Sequence, residues 1–162
     1  MRSILRWIWA LHWPPAARQT AFLFMTLPGV RWILFPHFMV GVVGVIGGEE
    51  GGVLLVHHTY RVKQPWGLPT GFLEHNEQPE AALSREIWEE TGFKVQLDPE
   101  PLVYTSDRRP LVNIVYTGKY RDGKFTPGPE VSEARFFDPD SLPPLQADQR
   151  ELLLSLKQEA IH

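Results

Sequence analysis

From Phe38 to Ile46 the run FMVGVVGVI is apolar and rich in β-branched residues, the pattern of a strand buried on both faces. The Gly- and Glu-rich stretch 47–52 reads as a loop, and VLLVHHTYR over 53–61 as a second strand. Pro65, Gly67, Pro69 and Gly71 make 64–78 loop-like. Helical spacing then takes over. Pro79 suits a first helical turn, Leu83 and Ile87 form an apolar ridge, and Gly92 is the residue preferred just past a helix end. Further strands are expected over 111–120 (LVNIVYTGKY) and 131–137 (VSEARFF), with Asp122-Gly123 as a tight turn and a closing helix over 148–160. Strands interleaved with helices, without repeats or linkers, indicate an α/β layered fold.

The first 38 residues follow another pattern. Ile4, Leu5, Ile8 and Leu11 recur at helical spacing up to Pro14-Pro15, and Trp7, Trp9, Trp13 and Trp32 crowd the same stretch. The charge-free runs 7–17, 19–30 and 32–48, the last broken by Pro36 and His37, fall short of a membrane span; such a span needs about 20 apolar residues. Arg6 interrupts any signal-peptide core. Read as a basic, Trp-rich extension (1–38) before a domain over 39–162, the segment suits packing on the body, a homodimer interface or a membrane-surface anchor. The sequence leaves these three open.

Composition narrows the chemistry. With 162 residues, 43% of them hydrophobic and 22% charged, the chain fits one soluble domain, expected in the cytoplasm unless residues 1–38 tie it to a membrane. It has no cysteine, which excludes a disulfide framework, a thiolate metal site and a cysteine nucleophile. The net charge of -3 divides unevenly, because Arg2, Arg6, Arg18 and Arg31 precede the first acidic residue, Glu49. An acidic body argues against general nucleic-acid binding.

That acidity has a focus. On the helix expected after Pro79, Glu86, Glu89 and Glu90 stand at i, i+3 and i+4 and share a face. A solvated surface is the plain reading of charges on a helix. The alternative is a cation site, because clustered hard oxygen donors suit Mg²⁺ or Mn²⁺ bound together with substrate phosphates. Arg85 can pair with Glu89 or Glu77 and so fix carboxylate orientation.

The segment GFLEHNEQPEAALSREIWEETGF (71–93) resembles the Nudix hydrolase signature without a gap: Gly71, Glu77, Arg85-Glu86, Ile87, Glu89-Glu90, Gly92 and Phe93 hold the family's spacing. A chance match is on the order of 10⁻⁸ at average residue usage, which sets the plain reading aside. The preceding WGLPTGFLE (66–74) is similar to the family's W-x-L-P-G-G-x-x-E run, with Thr70 in place of the first glycine. Threonine resists positive φ, so altered loop geometry is expected there. The resemblance spans about 39–160 and implies an α-β-α sandwich around a mixed sheet. It also implies cleavage of a nucleoside diphosphate linked to another group. Carried over, Glu86, Glu89 and Glu90 would hold Mg²⁺ or Mn²⁺ with the Thr70 carbonyl, Arg85 would orient the glutamates, and Glu77 would support them.

An acidic site binds an anionic diphosphate only through metal bridges, and bound metal lowers the pKa of an attacking water. The base is expected to be Glu86 or a carboxylate outside the signature; Glu130 is preferred to Glu133 for that role or for an extra metal ligand. Trp66, Tyr104 and Phe136 can stack on a base or pack at an edge, and Arg108 and Arg109 can contact phosphate or remain solvated. Pro110 lies near a proline of ADP-ribose-cleaving relatives. His57-His58 does not suit a metal pair, since strand neighbours face opposite ways. The rival to a pyrophosphohydrolase of nucleotide sugars, ADP-ribose-like compounds or (d)NTPs is a catalytically silent nucleotide-binding module.

Overall fold

The computed structural model describes residues 14–34, 37–105 and 110–159, and the chain divides into two compact units, Met1–Phe38 and Met39–His162. In the first, helices α1 (Pro15–Thr26) and α2 (Pro28–Leu34) each begin at a proline, where the missing N–H costs nothing. Phe22, Leu23, Phe24, Leu27 and Ile33 are exposed on them. Neither helix was apparent from the sequence pattern, and the helix expected around Ile4–Leu11 lies outside the described residues. No helix among the described residues is long and apolar enough to cross a membrane.

The second unit is layered by alternation along its first strand. Strands β1 (Met39–Gly47), β2 (Val53–His58), β3 (Trp66–Gly67) and β4 (Thr70–Phe72) precede helix α3 (Pro79–Thr91). Then come β5 (Phe93–Leu97), β6 (Leu102–Thr105), β7 (Leu111–Gly123), β8 (Val131–Phe137) and helix α4 (Ala147–Glu159). Neighbours Val42 and Val43 point to opposite faces of β1. Val42 joins Ile46, Leu54, Leu83 and Ile87 in the core under α3, while Val43 joins Leu55, Leu68, Val115 and Leu152 in the core under α4. An apolar strand buried on both faces is thus the centre of an α-β-α sandwich.

The sheet is mixed, ordered β3-β2-β1-β7-β5, with β1 parallel to β7, β4 paired to β1, β6 to β7 and β8 to β2. Two expectations need correction. Strand β2 stops at His58 rather than 61, because the Thr59 amide turns aside to donate to the Glu130 carbonyl at 2.9 Å. Asp122-Gly123 is not a hairpin turn but the end of β7. It pairs with Lys94 and Phe93 of β5 past a bulge, while the Asp122 carboxylate accepts the Gly123 amide at 2.7 Å. The loop-like stretch 64–78 also contains β3 and β4, each too short to show a period.

Candidate active site

Helix α3 ends where its sequence says it should. Gly92 adopts φ 75 and its amide donates to the Trp88 carbonyl at 2.8 Å, the left-handed cap that glycine tolerates without strain. Leu83 and Ile87 are fully buried over Gly44 of β1, so the opposite edge of the helix carries Glu86, Glu89 and Glu90 past the β3-β4 segment. Burying two such side chains contributes roughly 3–6 kcal/mol, enough to hold the carboxylates against their mutual repulsion of a few tenths of a kcal/mol per exposed pair.

Arg85 organises three of the carboxylates. Its Nε and Nη2 donate to the two oxygens of Glu77 at 2.9 and 3.0 Å, and Nη1 donates to Glu86 at 3.1 Å and Glu89 at 3.2 Å. Both partners foreseen for Arg85, Glu77 and Glu89, are therefore engaged at once, with Glu86 added. Glu77 also accepts the Glu74 amide at 3.1 Å. The Arg85 hydrogen bond, followed by that amide, holds the Glu77 carboxyl below its ordinary pKa.

Gly71 lies directly beneath this array. A β-carbon there would overlap the Glu86 carboxyl group, so the signature glycine is the space in which Glu86 lies. Gly71→Ala is expected to displace Glu86 and lower kcat/KM by about 10²-fold with the fold retained, checked by steady-state kinetics beside circular dichroism. Thr70 sits next to it in β4, opposite Val43 of β1, as an ordinary strand residue. Asn76, not Thr70, is the one non-glycine residue with positive φ among those described, at 63. The distortion expected at Thr70 is absent because a β-branched residue suits an extended backbone.

Glu90 differs from its neighbours. Its Oε2 is buried without a hydrogen-bond partner. Burial first, then the charges of Glu86 and Glu130, push its pKa up to about 7, opposed by Arg61. Glu130 is thus brought close to the carboxylate helix, as its backbone ties to Thr59 require. Glu133 is not; it faces His57 across the β2-β8 pair and binds Arg135 on its own strand.

The residues fit a divalent cation by donor type and by the orphaned Glu90 oxygen. Among the described residues no three acidic or histidine side chains are already gathered around one point. Arg85 accounts for part of this, since its Nη1 holds both Glu86 and Glu89. Glu89, with half its side chain exposed, is free to swing toward an ion.

The other candidates are scattered. Trp66 packs edge-on against His57 and Phe137, and Tyr104 against the core under α4. Phe136 stacks on Phe93 and lines a cavity of about 570 Å³ with Gly48–Gly52, Tyr120, Asp138 and Pro139, at the opposite end of β8 from Glu130. Arg108 and Arg109 lie outside the described residues; the Pro110 carbonyl accepts the Met39 amide at the start of β1. His57 and His58 face opposite ways, His57 toward Ser132 at 2.9 Å and His58 into the interior at 1% exposure. The sequence reading passed over Arg61, which lies between β2 and the Trp66 segment and has a buried Nη1. Only its proximity to Trp66 in the chain could have singled it out.

His58 carries a pH signature. Burial first, then the Arg61 and His57 charges, lower its pKa from 6.5 to about 4. Between these values the unfolded chain takes up a proton that the folded chain refuses. The contribution is therefore intact above pH 6.5 and is lost as pH falls toward 4, by up to about 3 kcal/mol. Glu90 has the opposite sign, its cost above pH 7 being relieved as pH falls toward 4.5. In the metal-free protein the two offset each other. A His58→Gln variant is expected to lose the acid-side fall, read as melting temperature against pH.

Comparison with known proteins places this geometry. A family model described as NUDIX domain matches residues 36–156. A MutT-like protein of Streptomyces ambofaciens is 34% identical over 107 residues, 66% of this chain and 68% of that protein. An ADP-ribose pyrophosphatase of Methanocaldococcus jannaschii is 33% identical over 127 residues, 76% and 75% of the two chains. Among solved structures, a UDP-X diphosphatase matches with a TM-score of 0.67 at 26% identity, over 98% of this chain and 79% of that one. A NUDIX hydrolase from Nitrosomonas europaea matches with 0.59 at 30%, over 67% and 62%.

Proposed function

The chain belongs to the Nudix family, and from that premise we propose that it is a divalent-metal-dependent pyrophosphohydrolase of nucleoside diphosphate derivatives. Its relatives make it a hydrolase of diphosphate bonds; the metal, the residues and the substrate class are our reading. The observation that carries it is the buried, unpartnered Glu90 oxygen beside Glu86 on the signature helix, an arrangement that destabilises the protein unless a cation answers it.

In this reading Glu86, Glu89 and Glu90 hold Mg²⁺ or Mn²⁺, joined by the Thr70 carbonyl. When bound, the metal neutralises phosphate oxygens and lowers the pKa of a water. Arg85 keeps Glu86 and Glu89 aligned through its hydrogen bonds to both, and Glu77 anchors Arg85. Glu130 is the candidate to take the water's proton or to add a ligand, supported by the reach of its charge to Glu90. The likeness to an ADP-ribose pyrophosphatase and a UDP-X diphosphatase favours substrates in which a nucleoside diphosphate carries a further group.

Chromatographic analysis of a panel of such compounds and dNTPs, with Mg²⁺ or Mn²⁺, tests this. At least one is expected to be cleaved at the diphosphate by wild type, and none at a comparable rate by Glu89→Gln. Binding without cleavage would mark a silent module and contradict the reading. Residues 1–38, basic and with exposed apolar helices, support a contact surface for a second copy or an anionic membrane. Sedimentation of the full chain with and without anionic liposomes distinguishes the two.

A further inference from the structure

Arg61 sits three residues beyond β2, in a segment pinned to the start of β8. The Thr59 amide donates to the Glu130 carbonyl at 2.9 Å and its hydroxyl to the Pro129 carbonyl at 2.8 Å. The guanidinium lies 5.7 Å from the centre of the Tyr60 ring. Its Nη1 fits against the bare α-carbon of Gly67, where any β-carbon would collide with it. The side chain is therefore placed by its surroundings rather than left to sample solvent.

What it lacks is an anion. Nη1 is buried with no hydrogen-bond partner, and among the described residues no ion pair joins Arg61 to a carboxylate. This holds although its charge reaches Glu90 and opposes the rise in that group's pKa. The contrast with Arg85, whose donors are taken by Glu77, Glu86 and Glu89, is direct. A buried guanidinium N–H left unpaired is costly, and planar N–H forks match phosphate oxygens better than any other side chain does. Behind it, His58 is buried and held neutral by that burial, so no acidic group competes from the interior side.

We propose that Arg61 is the phosphate-binding cation of this site, its unpaired guanidinium edge taking diphosphate oxygens that the metal-binding carboxylates do not serve. The inference rests on the reading of the site as a diphosphate hydrolase and adds a contact outside the signature helix. It gives the acidic site a positive group of its own for the substrate. The anion is thus gripped between a cation fixed in the protein and cations held by the glutamates.

The test is calorimetric titration of the full chain with α,β-methylene-ADP and Mg²⁺, a probe whose bridging carbon prevents cleavage. Arg61→Ala is expected to weaken binding by about 10- to 100-fold with an unchanged melting temperature. Arg61→Lys, which keeps the charge but not the fork, is expected to recover part of the loss. If wild type binds the probe and both variants match it within about twofold, the proposal fails while the hydrolase reading stands. If wild type binds no probe, both fail. Should the alanine variant not fold, the lysine variant decides alone: wild-type affinity there overturns the proposal.

Discussion

Glu90→Gln is expected to lower kcat by about 10³-fold and, in the same protein, to raise the melting temperature of the metal-free form above pH 7. The two effects share one cause. Glu90 is held in a buried position with one oxygen unpartnered and two like charges nearby, so its ionised form is disfavoured. A carboxyl whose pKa is raised from 4.5 to about 7 costs the folded state stability at pH above both values. That cost is up to about 3 kcal/mol. Glutamine keeps the shape and removes the charge, so the cost disappears together with the ligand. A cation does for wild type what glutamine does for the variant. Adding Mn²⁺ is therefore expected to raise the wild-type melting temperature and leave Glu90→Gln unmoved. Calorimetric scans at pH 8 with and without Mn²⁺, beside initial rates, check both halves.

Arg85→Ala is expected to lower kcat/KM by about 10²-fold and to lower the melting temperature. The side chain ties Glu77 to Glu86 and Glu89, and its loss leaves three carboxylates close together with no internal cation. Glu77 anchors the arginine from the loop before α3, so the loop and the helix lose their link. Lysine is not a substitute, because one ammonium cannot reproduce the paired donation from Nε and Nη2. Arg85→Lys is expected to retain most of the kinetic defect while recovering part of the stability. Recovery of wild-type kcat/KM by lysine would show that the arginine acts only as a charge.

Much of this architecture was legible in the chain because it is local. The bounds of α3 follow from Pro79, the Leu83-Ile87 ridge and Gly92, and β8 from an uninterrupted run between turn residues. The carboxylate cluster follows from helical geometry alone. What was not legible depends on partners far away in sequence. Strands β3 to β6 have two to five residues each and exist because β1, β2 and β7 offer them edges. Asp122-Gly123 is a hairpin signal in isolation, overridden here because β5 lies alongside and prolongs β7. Trp66 and Phe136 carry the chemistry to stack on a base, but their rings are engaged with Phe137 and Phe93. Arg61 was silent because its significance is the absence of a partner, which no spacing encodes.

The central claim is that the α3 carboxylates form a metal cradle. Loss of the free Mn²⁺ electron paramagnetic resonance signal on titration into metal-free protein measures this directly, for wild type and for Glu86→Gln, Glu89→Gln and Glu90→Gln. The account expects wild type to bind Mn²⁺ at or above equimolar stoichiometry and each variant to lose affinity by about 10-fold or more. Equal binding by wild type and all three variants, or no binding by wild type, would contradict it.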